Sequence, residues 1–319
     1  MGNKELFDSN FKPILISSLE TDSPIPFDLY IRSKEEFVLF LTKGKMLKAE
    51  QIERLKKSAQ NLIFISRYDE TNYESYIHKL LDKYELESPK KLKERSEALY
   101  ESSKKIVNEL FTTKITKESI NSAKSVAEGI LHQVQKDRRA FFSLMEVSSH
   151  DYYTYTHSIN VCMYSIAIGH SLKLPPLEMR LLSQGSLFHD IGKSKIDASI
   201  INKNGKLSAE EFQKIKEHPI LGVKILLENG IDDRVTLGIV KEHHEKLDGK
   251  GYPSHLRDDN IIYLAQIVTV ADIFDALTTE RSYKKAMSTF EALSLMKSIM
   301  KNELNMDILK AFVSCFKQT

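Results

Sequence analysis

The segment "LFHDIGKSK" carries three side chains that can do chemistry, His189, Asp190 and Lys193. Such groups are costly to bury unless a partner or a metal ion compensates them. Imidazoles and carboxylates recur in four further segments, at His157, His218, His243, His244 and Asp272. This set suits first-row transition metals, and its lack of cysteine argues against a structural zinc site. Five imidazoles and two carboxylates suit two ions, and Asp190 is the natural bridge because a carboxylate can offer one oxygen to each.

Helices are expected to position these side chains, because the pattern after residue 121 is almost wholly helical. "HSINVCMYSIAIGHSL" places one apolar stripe on a helix that ends before two prolines: Ile159, Met163 and Ile166, then Pro175 and Pro176. "LEMRLLSQGSLFHDIGK" predicts a second helix that Gly192 would stop. Ser208 and Glu211 form a capping box that begins a third helix, "SAEEFQKIKEHPILGVKILLEN". "AQIVTVADIFDALTTE" and "TFEALSLMKSIMK" predict two more.

The N-terminal part of the chain has a different pattern. Residues 1–75 predict a small α+β domain, with strands at "PFDLYI" and "NLIFIS" around a helix at "KAEQIERLKKSA". Residues 76–120 are rich in Lys and Glu with helical spacing, which indicates a connector with solvated charged faces. Residues 121–319 form the predicted third part. The expected fold class is therefore mainly α: a helix bundle preceded by a small α+β domain.

The composition excludes several function classes. The 319-residue chain has a formal net charge of +2, which gives no reason to expect binding to a nucleic-acid polymer or an anionic membrane. Its longest apolar stretch is well short of the ~20 residues that span a bilayer, and its start resembles no signal peptide. The two cysteines, Cys162 and Cys315, have no metal or redox spacing, and nothing in the sequence supports a disulfide between them. We expect a cytoplasmic protein.

Four segments resemble the HD-GYP family of bacterial cyclic di-GMP phosphodiesterases, which belongs to the HD superfamily of metal-dependent phosphohydrolases. They are "HDIGK", "EHPILG", "EHHEKLDGKGYP" and "VADIFDALTTERSYKKAMS", in this order. The resemblance covers roughly residues 121–319, and the joint match is specific, whereas an isolated His-Asp pair is not. It implies an all-helical hydrolase domain, cyclic di-GMP as substrate, and linear pGpG or GMP as product. The N-terminal part also looks like the leader domain found before such units.

The resemblance also implies roles for individual residues. One metal ion would take His157, His189, Asp190 and Asp272; the second would take Asp190, His218, His243 and His244. Asp190 and Lys193 would carry the catalytic roles, with Lys193 contacting a substrate phosphate. Further substrate contacts would come from Tyr252 in the Gly-Tyr-Pro loop and from the pair Arg281 and Lys284. The family suggests iron as the metal, with manganese as the alternative.

The expected reaction uses both ions. Two metals about 3.5–4 Å apart can hold a bridging water, lower its pKa and direct it at phosphorus. Some family members add a glutamate four residues before the first histidine and hold a third metal; here Tyr153 takes that place, so we expect a two-metal centre. The sequence also departs from the family at Ser282 and at "KSKID", which spares the proposed ligands but affects the substrate groove.

Other functions stay open at this stage. The chain could keep the metals yet act as a low-turnover cyclic di-GMP sensor or interaction module. It could instead hydrolyse another nucleotide, although "GYP" and "DALTTERSYKK" weigh against that reading. A purely structural helical protein would have no need of seven metal-compatible residues at these positions. The N-terminal domain is expected to be regulatory and to contact a second copy of the chain or a signalling-protein partner, and the helical connector is compatible with dimerisation.

Overall fold

The computed structural model describes residues 10–21, 23–33, 36–57, 62–83, 88–148, 153–201, 203, 205–280 and 285–316. The chain divides into two compact units, with the boundary between Ser102 and Ser103. This boundary falls within one helix, Pro89–Thr112, labelled α3 below. The predicted domain limits at residues 75 and 120 stay predictions.

The first unit contains a four-stranded antiparallel sheet. Its strands are β1 (Phe11–Leu15), β2 (Leu29–Ser33), β3 (Glu36–Leu41) and β4 (Leu62–Ser66), in the spatial order β1-β4-β2-β3. The helices α1 (Ala49–Lys57) and α2 (Glu70–Lys83) accompany it. Its core includes Phe27, Leu29, Ile63 and Ile65, which come from the two segments whose alternation predicts strands. The expected α+β character of this region is confirmed.

The second unit consists mainly of helices in its described residues. After α3 follow α4 (Lys117–Lys136), α5 (Arg138–Val147), α6 (Thr154–Ser171), α7 (Pro176–Phe188), α8 (Ala198–Ile201), α9 (Ala209–Ile215), α10 (His218–Glu228), α11 (Arg234–Glu242), α12 (Tyr263–Thr278), α13 (Thr289–Ile299) and α14 (Met306–Cys315). Short 3₁₀ turns join some of them, including one at Ile191–Lys195 directly after α7. The predicted fold class, mainly helical after a small α+β region, is confirmed.

The structure extends one sequence expectation for an individual helix and contradicts another. α6 buries Ile159, Met163 and Ile166 as expected, and it is buried on every side from Thr156 to Gly169. α7 ends at Phe188, so Gly192 lies in the 3₁₀ turn and does not stop the helix. Pro176 does begin α7, as its fixed φ favours at a first helical position.

The third predicted helix is two helices. The capping box of Ser208 and Glu211 is present and begins α9, but α9 stops at Ile215 and His218 begins a new helix. This break places an imidazole at the first position of α10.

The two cysteines are buried and free. Within the described residues, no helix combines the length and apolarity needed to cross a bilayer.

Candidate metal centre

The structure brings all seven predicted metal-ligating residues together, mostly at helix ends. His157 lies in the first turn of α6, and His189 and Asp190 directly follow α7. His218 begins α10, and His243 and His244 directly follow α11, whereas Asp272 lies within α12. Helix ends suit this task because the side chain of an end residue can point along the helix axis while the helix holds its backbone rigidly.

Asp190 is at the centre of the cluster and is fully buried. Its Oδ2 lies 3.4 Å from Nε2 of His189 and 3.5 Å from Nε2 of His157. Its other oxygen, Oδ1, lies 3.3 Å from Nε2 of His218 and 4.0 Å from Nε2 of His243. The described residues donate no hydrogen bond to Oδ1. Each carboxylate oxygen therefore faces a different pair of imidazoles, as a bridging ligand requires.

The potential ligand atoms form two groups. Asp190, His218, His243 and His244 form one group, and His157, His189 and Asp272 form the other; within each group the atoms lie within 4.8 Å of one another. All are buried except His244, which is partly exposed. The division matches the two sets implied by the family resemblance, with Asp190 between them. That these residues bind metal stays a proposal.

The histidine tautomers indicate what the cluster is built to hold. The Nδ1 atoms of His218 and His243 lie 2.7 and 2.9 Å from the carbonyl oxygens of Ile215 and Val240. A carbonyl only accepts, so each Nδ1 carries the proton and each neutral ring has a bare lone pair at Nε2. These two Nε2 atoms are only 3.2 Å apart. Two lone pairs that converge beside a carboxylate oxygen without a donor fit a cation.

Charge around the two carboxylates keeps both ionised. Burial alone would raise the pKa of Asp190, but Nζ of Lys193 at 2.6 Å and the neighbouring imidazoles hold this pKa well below its usual range. Burial would likewise raise the pKa of Asp272, but its hydrogen bond with His157, whose Nε2 lies at 3.1 Å, holds the pKa low. The cluster therefore presents two anionic ligands at neutral pH.

Burial acts on the imidazoles in the opposite sense, because it disfavours their charged form. It lowers the pKa of His218 to about 3 and that of His244 to about 4, against the opposing attraction of Asp190 and Asp272. The pKa of His243 also falls well below its ordinary value, again chiefly through burial. These three rings are neutral at pH 7 and ready to donate their lone pairs.

This depression predicts acid sensitivity of the metal-free protein. Below about pH 6.5 the unfolded chain protonates the three imidazoles, whereas the folded chain leaves them neutral until far lower pH. Each ring therefore removes up to about 1.4 kcal/mol of stability per pH unit as pH falls from about 6.5 towards its folded-state pKa. We expect the thermal unfolding midpoint of chelator-treated protein to fall steadily from pH 7 to pH 5.

A matched pair of variants tests this cause. His244→Gln removes one of the three depressed groups and should flatten the dependence of the midpoint on pH. His170, exposed near the end of α6, is the control, and His170→Gln should leave the slope as it is in the parent. An equal slope in the parent and in His244→Gln would contradict the explanation.

The Gly-Tyr-Pro loop packs directly against the cluster. The ring of Tyr252 stacks on the imidazole of His244, with centroids 4.7 Å apart and planes 29° apart. Gly251 has no room for a side chain, since an added Cβ would lie 2.4 Å from backbone atoms of Glu245 and Lys246. Glu245 is buried and accepts hydrogen bonds from the backbone N–H groups of Ser254 and Leu256. Its carboxylate therefore holds the loop.

Sequence reasoning missed a second feature of this surface. Nζ of Lys216 lies 5.4 Å from the ring centroid of Tyr252 and 4.9 Å from that of Phe212. The stack of His244, Tyr252, Lys216 and Phe212 thus leads away from the cluster. In the sequence, the sign of this feature is that Lys216 lies only two residues before the predicted ligand His218. The predicted substrate residues Arg281 and Lys284 lie outside the described residues.

Comparison with known proteins agrees with this architecture. The chain matches the HD domain family over residues 144–308. The cyclic di-GMP phosphodiesterase PA4108 of Pseudomonas aeruginosa is 35% identical over 191 residues, which are 60% of this chain and 46% of that protein. The 3'3'-cGAMP-specific phosphodiesterase 3 of Vibrio cholerae is 38% identical over 146 residues, 46% of this chain and 31% of that protein. The chain thus spans less than half the length of these two relatives.

A solved structure has a similar fold. It is that of Bd1817, described as an HDG"Y"P protein from Bdellovibrio bacteriovorus, with a TM-score of 0.60, 23% identity, and coverage of 97% of this chain and all of that one. The chain belongs to the HD domain family. The resemblance to HD-GYP proteins, which the four sequence segments indicate, is confirmed.

Proposed function

We propose that this protein is a metal-dependent phosphodiesterase that hydrolyses cyclic di-GMP to linear pGpG. The observation that carries the proposal is the cluster of five imidazoles with the carboxylates of Asp190 and Asp272, in which the two oxygens of Asp190 face separate groups. The names of the relatives support the substrate class, since several are cyclic di-GMP phosphodiesterases.

The residues would divide the work as follows. His157, His189 and Asp272 with one oxygen of Asp190 would hold one ion, and His218, His243 and His244 with the other oxygen would hold the second. When bound, two divalent ions supply Lewis acidity towards phosphate oxygens and lower the pKa of water towards neutrality. Iron, with manganese as the alternative, is the metal we propose for this set of imidazoles and carboxylates.

The chain's own residues would bind and orient the substrate. The ammonium group of Lys193, part-buried beside Asp190, lies where it can neutralise charge on a phosphate that enters the cluster. Tyr252, fixed on His244 by stacking, would form one wall of the substrate groove, and Lys216 would add a cation at its outer end. Arg281 and Lys284 are proposed to grip a second phosphate. Binding through the first unit to a second copy or a signalling protein stays a prediction.

Product analysis tests the proposal. We expect anaerobically purified protein to convert cyclic di-GMP to pGpG, with loss of activity on chelation and recovery on adding iron or manganese. 3'3'-cGAMP belongs in the same assay, because one relative is named for that nucleotide. If the protein cleaved 3'3'-cGAMP but not cyclic di-GMP, the proposed substrate would be wrong and 3'3'-cGAMP would take its place. Binding of cyclic di-GMP without turnover by the metal-loaded protein would favour a sensor.

A further inference from the structure

A third buried carboxylate, Asp275, lies behind the cluster. α12 presents Asp272 to the centre and Asp275, one turn later, to the far side of His157. Oδ2 of Asp275 lies 2.7 Å from Nδ1 of His157, and its Oδ1 accepts a hydrogen bond of 3.0 Å from the side-chain amide of Asn160. Asp275 is fully buried, and His157 and Asn160 lie one turn apart on α6. The pair of α6 side chains therefore holds the carboxylate in one orientation.

This arrangement distinguishes His157 from the other three fully buried imidazoles of the cluster. His189, His218 and His243 each direct Nδ1 at the carbonyl oxygen three residues earlier in the chain, at 2.7, 2.7 and 2.9 Å. Those contacts come from the backbone of the same segment. The Nδ1 atom of His157 instead faces a carboxylate from another helix, 118 residues away in sequence.

A carboxylate behind an imidazole affects the ring in two ways. It fixes the proton on Nδ1, so that the Nε2 lone pair points at the metal, and it makes the ring a stronger donor. It also adds negative charge to its side of the cluster. Asp272 and Asp275 both lie on the His157 side, whereas the His218 side has three imidazoles and the shared Asp190.

We propose that Asp275 is a positioning residue that makes the His157–His189–Asp272 group the tighter of the two metal sites. Without touching metal or substrate, it holds His157 in the ligating tautomer and orientation. The inference rests on the proposed metal-dependent function, although it concerns the order in which the chain binds its two ions rather than the substrate.

The substitution Asp275→Asn tests the inference with little change in volume. An asparagine has a single acceptor oxygen, so it cannot serve both Asn160 and His157. With its oxygen towards Asn160, its NH₂ group faces Nδ1 of His157 and selects the tautomer whose proton is on Nε2, which blocks ligation. With its oxygen towards His157, its own NH₂ group faces the NH₂ group of Asn160, and two donors then oppose each other.

Titration of metal-free protein with Co²⁺, followed by the visible spectrum of the ion and by elemental analysis, gives the readout. We expect the parent to bind two ions, and Asp275→Asn to bind one as tightly as the parent and the other about 10- to 100-fold more weakly. Ser165→Ala, which removes a buried hydroxyl from α6 about two turns beyond His157, is the matched control and should bind both ions as the parent does.

A second variant covers the case in which Asp275→Asn does not fold. Asn160→Ala keeps the charge but releases one oxygen of Asp275, and should weaken the same single site by a smaller factor. If Asp275→Asn folds, unchanged binding of both ions by that variant would overturn the inference. If Asp275→Asn does not fold, unchanged binding of both ions by Asn160→Ala would overturn it. Equal weakening of both ions in the variant tested would overturn it as well. Two ions bound by a parent that cleaves no cyclic dinucleotide would refute the proposed function but not the role of Asp275.

Discussion

Asp190→Asn is expected to abolish binding of both metal ions and to reduce cyclic di-GMP hydrolysis by more than about a hundredfold. Loss of a partner that only supports a ligand costs about 10- to 100-fold. Asp190 is proposed to bind both ions, and asparagine keeps its size while removing the charge. The change also replaces the carboxylate that lies 2.6 Å from the ammonium group of Lys193 with a neutral amide. We therefore expect metal content, measured by elemental analysis, to fall from about two ions per chain towards zero.

Asp197→Asn is the matched control for this variant. Asp197 lies seven residues further along, is exposed, and accepts a backbone hydrogen bond from Ser199 that an asparagine can also accept. Asp197 is not one of the seven proposed ligands, so we expect this control to keep both ions. If Asp190→Asn retained one tightly bound ion, Asp190 would belong to one site only, and the bridging role would be wrong.

Gly192→Ala is expected to have the second large effect, on stability and on metal binding together. A Cβ added at Gly192 would lie 1.9 Å from the carbonyl oxygen of His218 and 2.6 Å from the backbone nitrogen of Gly222. Both atoms belong to the backbone of α10, so no side chain can move aside. We expect the 3₁₀ turn and α10 to separate, at a cost of about 3 kcal/mol or more. Because Asp190 immediately precedes the turn and His218 begins α10, their ligand atoms would separate as well.

Gly169→Ala, inside α6, is the control. There an added Cβ would meet only the ends of flexible side chains, Sδ of Met179 and a methyl group of Leu182. Alanine also has a higher helix propensity than glycine. We expect a change below about 1 kcal/mol, with metal content retained. Thermal unfolding of the chelated proteins makes the comparison. A Gly192→Ala protein that melts within about 2 °C of the parent and keeps both ions would show that α10 tolerates the side chain.

The sequence predicted the cluster more fully than it predicted the helices. All seven residues converge, six of them lie in motif segments whose order and spacing are specific, and all but Asp272 lie at or near helix ends. Apolar periodicity was less informative for α6, where Ser158, Asn160 and Ser165 are as buried as their apolar neighbours. Other elements cover a central helix on every side, so its polar residues are buried as well. Apolar periodicity therefore does not show which of its residues are buried.

The supporting contacts could not be predicted from sequence spacing. Asp275 reaches His157 across 118 residues, and Thr269 contacts the carbonyl oxygen of His243 across 26. Such pairs depend on how helices cross, which no local pattern records. Gly192 shows the same limit. A glycine that ends a helix and a glycine that lets two backbone segments approach closely look the same in the sequence.

We propose that two metal ions held around Asp190 make this protein a cyclic di-GMP phosphodiesterase. The most direct test measures metal content and pGpG formation on the same anaerobically purified sample, before and after chelation. We predict about two ions per chain, and turnover that disappears and returns with them. Full turnover by protein stripped of metal, or the absence of bound metal in the active sample, would contradict it.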